Sequence, residues 1–368
     1  MALSVSRNQV LGYRFHVQQL DREKARDLTD AAVLDLGVQD TGADGAAWAL
    51  ANRGAALERL GRLDDDLVLV WTLRGAPHFY RRSEVAAVAA ATAPFSEADA
   101  ASRIFDAAKP LRAAGISPLD ALDVVAAQMR GIASAPTVKG DMSSALTARL
   151  AEPYLRYCRP CDAIHTYEQP FRLSALRAGL ELQPGTSPPV LRRIDGWKGP
   201  APRAPDALDV VRANLHLLGP ATPKLVAGYL DAPVKDVKQR WPQDAIEVSV
   251  DGEDRWVLQA DLPALRASEV NRAVVRLLGP FDLFLQSRDR ELLVPDVTRR
   301  KQLWVVLGRP GAVVAGGEVA GTWRPRAAGR RLRLLVDTWA DVPEDQVRAQ
   351  GERLAALRGL SFAGLVDT

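Results

Sequence analysis

Apolar residues recur at helical spacing from the start of the chain. Ser6 stands ahead of Val10, Tyr13, Phe15 and Leu20, which predicts a helix capped by the Ser6 hydroxyl. Thr29 heads a second, short helix through Val33 and Leu36 that Gly37 ends, which leaves Val38-Gln39-Asp40-Thr41-Gly42 as a loop. A third helix is expected from about Gly45 to Leu60, with Trp48, Leu50, Leu57 and Leu60 on its apolar side. The pattern then changes to a strand, Leu67 to Leu73, followed by a turn at Arg74-Gly75. Three helices with a strand and turn compose a winged-helix unit.

The middle reads as helical from Glu97 to Leu155, with breaks at Gly115 to Pro118 and at Pro136 to Gly140. Ser117-Pro118 sets a capping hydroxyl before a proline at the first helical position, and Ser143 begins another helix. The proline-rich stretch from Gln183 to Pro205 reads as a linker or surface wrap. Beyond it, helices are expected over Asp206–Leu218, Lys224–Leu230 and Val234–Trp241. A hairpin follows, Ile246–Val250 and Arg255–Leu258, turned by Asp251-Gly252. This order is that of a winged helix-turn-helix.

The last hundred residues alternate as strands do. Gly316-Gly317 turns one hairpin, Ala327-Ala328-Gly329 tips another, and an amphipathic helix runs from Pro343 to Leu357. The expected fold class is α+β, with winged helix-turn-helix units and a β-rich C-terminal part. The expected divisions are 1–95, 96–195, 196–270 and 271–368.

Composition narrows the classes. With 368 residues, 47% of them hydrophobic, the chain can bury more than one core and is not disordered. No run of about 20 uncharged apolar residues is present to span a membrane. Two cysteines do not make a disulfide scaffold. The residues from Met1 to Arg14 lack the apolar core of a signal peptide, so a cytoplasmic protein is expected. A net charge of +3 does not exclude nucleic acid, because the arginines cluster near the end.

Four strings carry specific information. They are Leu36-Gly37-Val38-Gln39-Asp40-Thr41 with Ala49 to Arg53; Trp71-Thr72-Leu73-Arg74-Gly75 with His78; and the predicted winged helix around Thr222-Pro223 and Asp251-Gly252. The last is Leu278-Gly279-Pro280-Phe281-Asp282-Leu283-Phe284-Leu285 with Arg288-Asp289-Arg290 and Gly316-Gly317 to Arg324. In this order they resemble the AlkZ-type winged-helix family of DNA glycosylases, and the resemblance covers nearly the whole chain. It implies tandem winged helix-turn-helix units arranged around a DNA-binding channel, and excision of alkylated purines from duplex DNA by a monofunctional, nucleoid-associated enzyme without cofactor. In that family the first loop carries Gln-X-Gln or Gln-X-Asp, whereas Thr41 stands at the second place here.

A purine alkylated at its seven position is cationic and leaves readily. The enzyme needs chiefly to hold a water and to stabilise an oxocarbenium-like transition state. Gln39 can orient that water and Asp40 can accept its proton, with Thr41 assisting. The structural alternative is a polar turn in which Asp40 caps the next element. The other open reading is a catalytically inactive winged-helix DNA-binding or regulatory protein.

Arg74 and His78 are candidates to meet phosphate or the lesion, or else a turn arginine and a surface histidine. Asp282, set among apolar residues, is expected to pair with Arg288 or Arg290, as a structural or channel-shaping ion pair. Arg288 and Arg290, Arg299, Arg300 and Lys301, and the series Arg324, Arg326 and Arg330, are candidates for DNA contact. Cys158-X-X-Cys161 with His165 has zinc-like spacing and would need Glu168, another histidine or water as fourth ligand. A redox pair and structural thiols are the alternatives, and the reading adopted assigns no metal. The partner expected is double-stranded DNA containing an alkylated purine, bound by a monomer.

Overall fold

Ser6 accepts a hydrogen bond from the Gln9 backbone and Gln9 returns one to the Ser6 N–H, a capping box that starts the helix Arg7–Val17. In the computed structural model, residues 3–22, 27–42, 44–60 and 63–367 are described. They divide into two compact units. One comprises Met1–Asp64, Val211–Val226 and Trp241–Thr368, and the other Asp65–Val210 and Ala227–Arg240.

The first unit is built on two sheets. Leu3–Val5 runs parallel to Ala245–Val250, which pairs antiparallel with Glu253–Leu258 across Asp251-Gly252. Both turn residues have positive φ, 48° and 91°, the conformation that makes aspartyl-glycine a hairpin turn. The second sheet orders five strands as Val275–Leu278, Gly311–Ala315, Glu318–Ala328, Arg331–Thr338 and Ser361–Asp367. Its last pair is parallel, so the chain needs a crossover, and the helix Glu344–Leu357 supplies it. Gly316-Gly317 and Gly329-Arg330 make its two hairpin turns. Val10, Leu11, Phe284 and Leu293 centre one core cluster, and Trp48, Leu277, Trp323 and Leu334 centre another.

In the second unit, Pro77–Arg81, Leu67–Trp71, Leu180–Leu182, Val190–Arg193 and Thr137–Val138 lie side by side in that order. Helices Pro118–Ile132 and Glu168–Arg177 accompany them. Ser117 caps the first of these with Pro118 behind it, as expected. A separate two-stranded hairpin joins Leu155–Cys158 to Ala163–Thr166.

Several elements differ from expectation. The helix headed by Thr29 is two 3₁₀ turns, Leu28–Asp30 and Ala32–Asp35, and the cap is Asp27, whose carboxylate accepts from the Thr29 N–H. Val38–Gln39 is extended rather than loop. The helix beginning at Gly45 stops at Ala51, because Gly54 turns the chain through a left-handed φ of 84°. Part of the proline-rich stretch is strand. Three helices, Val210–Leu218, Pro223–Leu230 and Val234–Gln239, precede the aspartyl-glycine hairpin in the expected order. Among the described residues, no helix is long and apolar enough to cross a membrane.

Candidate active site

Gly37 ends the 3₁₀ turn with a φ of 87°, and the extended chain that follows sends alternate side chains in opposite directions. Gln39 and Thr41, two apart, meet: the Gln39 Nε2 donates to the Thr41 Oγ1 at 3.0 Å. Both line a cavity of about 360 Å³. Asp40 does not line it. Its Oδ1 accepts the Ala46 N–H at 3.0 Å at the start of the helix Gly45–Ala51. Burial raises the Asp40 pKa and this hydrogen bond lowers it by less. The backbone at Gly45 has a φ of 34°, and a methyl group there would come within 2.0 Å of Asp40 Oδ1. Asp40 thus makes the capping contact that the alternative reading of this turn gives it.

Two tryptophans line the cavity and are fixed by one strand. Trp48 Nε1 donates to the Leu277 carbonyl at 2.6 Å, and Trp323 Nε1 donates to the Leu278 carbonyl at 2.9 Å. Gly311 makes the second bond sterically feasible. A Cβ there would lie 2.3 Å from Trp323 Nε1 and 2.5 Å from the Leu278 oxygen.

The two carboxylates in the lining are both neutralised. Asp282 is held by Arg53, not by Arg288 or Arg290, through two bonds of 2.8 Å. The Arg53 guanidinium also donates to the Ala49 carbonyl at 2.7 Å and to Gln18 Oε1 at 3.0 Å. Asp282 completes its set by accepting the Phe284 N–H. With side-chain exposures of 1% and 0%, this pair is a buried charge cluster whose partners are 229 residues apart in sequence. Asp44 pairs likewise with Arg358 through both carboxylate oxygens. The neighbouring Asp289, within the string Arg288-Asp289-Arg290, is clamped by Arg14 and Arg255. Burial is the largest single influence and would raise its pKa, but the charge and hydrogen bond of Arg14, the Ser287 hydrogen bond and the Arg255 charge together hold it below the usual range.

Arginines border the site. Arg309 lies over the Phe281 ring at 5.0 Å and lines the cavity, as do Arg324 and Arg326. Arg324 donates to the Gly308 carbonyl, while Arg326 and Arg330 are exposed along the Glu318–Thr338 hairpin. Burial first, then the charges of Arg288 and Arg309, lowers the pKa of Arg290, whose guanidinium lies 5.0 Å from the Trp304 ring. Burial and Arg288 do the same to Arg309. Arg288 is itself exposed, and these three like charges repel one another. Arg299 is exposed beside Trp339, and Lys301 is exposed. Arg300 is spent within the chain on the Val294 and Pro295 carbonyls and Glu291.

Arg74 and His78 belong to the second unit. Arg74 takes a left-handed φ of 58° and donates to the Tyr229 carbonyl at 2.8 Å, its guanidinium 4.6 Å from that ring. His78 does not reach solvent. It is 1% exposed, with Nδ1 at 2.9 Å from the Ala76 carbonyl and 3.0 Å from Thr72 Oγ1. Burial, then the charge of Arg74, pushes its pKa down to about 3, so the ring is neutral and serves the fold. The expected contact of His78 with phosphate or lesion is not open to it.

Sequence reading missed Trp48, Trp323, Arg309 and the Asp44–Arg358 pair as lining residues. Their one sequence signal was density: two tryptophans and several arginines near the quoted strings. What unites them is pairing between segments far apart in the chain.

A family model described as DNA glycosylase AlkZ-like matches residues 33–357. The solved structure of Streptomyces sahachiroi DNA glycosylase AlkZ is similar over 100% of both chains, with a TM-score of 0.75 and 20% identity. Among curated proteins no match was found. The chain belongs to the AlkZ-like DNA glycosylase family.

Proposed function

We propose that this chain hydrolyses the N-glycosidic bond of alkylated purines in duplex DNA, with N7-alkylguanine, including bulky or crosslinked forms, as the substrate class. The observation that carries the reading is the Gln39–Thr41 pair on the wall of an aromatic cavity bordered by arginines. A flat base suits tryptophan and phenylalanine faces, and the flanking phosphates suit guanidinium groups. A volume of about 360 Å³ falls within the range of ligand pockets, about 300–1,000 Å³.

The chemistry follows from what the cavity holds. Both lining carboxylates are occupied by arginine, so water activation rests on the amide and hydroxyl of Gln39 and Thr41. These groups position a water well and deprotonate it poorly. That suits a cationic leaving group, because bond cleavage then runs ahead of water attack and little base strength is needed. The oxocarbenium charge that develops on the sugar is stabilised by the DNA phosphates, which the arginines in turn hold in place. Water is the only co-reactant. The helix order of 210–258 suits a winged helix, which we carry as part of this reading.

Incubating the purified chain with duplex DNA that contains 7-methylguanine tests the proposal. Release of free base, with abasic sites left behind, is the expected result. No release, or release at an unchanged rate by both Gln39→Ala and Thr41→Ala, overturns it. Tight binding to one undamaged sequence without release would instead identify a DNA-binding regulator.

A further inference from the structure

The hairpin of Leu155–Cys158 and Ala163–Thr166 carries chemistry that base excision does not use. Its reversal is closed by two backbone bonds, Cys161 N–H to the Cys158 carbonyl at 3.2 Å and Asp162 N–H to the Arg159 carbonyl at 3.3 Å. A two-stranded ribbon is marginal in water unless something else ties it down. Here the cross-strand pair Tyr157 and Ile164 is 59% and 60% exposed, so apolar burial contributes little at that end.

Three metal-ligating side chains converge at the same tip. The sulfurs of Cys158 and Cys161 and a ring nitrogen of His165 all lie within 4.8 Å of one another. In tetrahedral zinc sites, with Zn–S near 2.3 Å and Zn–N near 2.0–2.1 Å, such atoms stand about 3.5–3.8 Å apart. Small side-chain adjustments close that difference. The histidine is also prepared. His165 Nδ1 lies 2.8 Å from the Thr166 carbonyl, which requires the proton on Nδ1 and leaves the Nε2 lone pair for a metal. Ligating histidines are typically oriented in this way.

We propose that Cys158, Cys161 and His165 bind one zinc ion, with water as fourth ligand, and that the ion fastens the tip of this hairpin. Glu168 is not the fourth ligand, because Lys139 and Arg172 hold its carboxylate. Asp162 accepts from the Tyr157 hydroxyl at 2.5 Å. Among the described residues no other histidine, cysteine or carboxylate joins the cluster. Two thiolates and an imidazole select zinc over magnesium or calcium, and binding releases the two thiol protons to solvent. The two thiolate charges balance the ion.

Elemental analysis and Co²⁺ titration of the full chain, purified under reducing conditions, test the site. One equivalent of zinc is expected, and Co²⁺ should give ligand-field and thiolate charge-transfer bands that Zn²⁺ abolishes. Cys161→Ser and His165→Gln should each weaken Zn²⁺ binding by at least about tenfold. Chelation should speed proteolytic cleavage within 159–162. A reduced chain that takes up neither metal, or variants that bind Zn²⁺ as the unmodified chain does, overturns the proposal. Should either variant fail to fold, the cobalt spectrum of the unmodified chain decides: thiolate bands support the site, and their absence refutes it. None of these readouts depends on base release.

Discussion

The Gln39 side-chain nitrogen donates to the Thr41 hydroxyl oxygen at 3.0 Å, while Asp40 between them turns away to the Ala46 N–H. The hydroxyl oxygen accepts from the amide, so its own proton points elsewhere. If these two groups hold the attacking water, Gln39→Ala and Thr41→Ala should each slow base release by about 10- to 100-fold without loss of fold. Thr41→Asp installs a base, and release should rise by about tenfold or more. Single-turnover assays on 7-methylguanine DNA measure both effects.

Asp40 separates from its neighbours in its readout. Asp40→Ala removes an acceptor at a helix start and should cost about 1 kcal/mol in urea unfolding. Base release by the folded variant should stay within about twofold, because the two wall residues keep their places. A loss of release as large as that of Gln39→Ala would return Asp40 to the chemistry.

The Arg53–Asp282 pair predicts a larger loss. Removing one member leaves a buried charge without its partner, so Arg53→Met should destabilise the chain by about 3–5 kcal/mol. Replacing both, as Arg53→Met with Asp282→Leu, should recover part of that loss. The comparison is a double-mutant cycle measured by chemical denaturation.

Each arginine that meets phosphate releases counterions, so affinity should fall steeply with salt. Arg309→Ala and Arg326→Ala should each weaken duplex binding and reduce the slope of log K against log salt by about 0.9. Arg300→Ala should leave that slope unchanged, because its guanidinium is spent on Val294, Pro295 and Glu291. Fluorescence anisotropy across a salt series checks the contrast.

His78 makes stability depend on pH. Its pKa falls from 6.5 to about 3 on folding, so between those values the unfolded chain binds the extra proton. The contribution is fully present above pH 6.5 and is lost as pH falls towards 3, at up to about 1.4 kcal/mol per pH unit. His78→Asn, which does not titrate there, should flatten the pH dependence of the unfolding free energy between pH 6 and 4, taken as roughly the middle of that range.

The elements legible in the sequence are those that neighbouring residues decide. Ser6, Ser117-Pro118, Asp251-Gly252 and Gly316-Gly317 each set a cap or turn through groups a few residues apart, and each appears as expected. The Gln39 motif and the arginine-rich hairpin were visible for the same reason. Leu3–Val5 and Ser361–Asp367 were not, since a short parallel strand exists only through its distant partner.

What tertiary structure alone decided is which charges and rings share a space. Asp282 had near arginines at 288 and 290 and took Arg53, because a carboxylate removed from water pairs with the cation whose geometry folding brings to it. Likewise His78 went inward and Asp40 became a cap, leaving Gln39 and Thr41 on the cavity wall with Trp48 and Trp323. The sequence by itself determined several local turns and caps and the motif residues. Their roles depended on burial, and burial is a property of the whole packed chain.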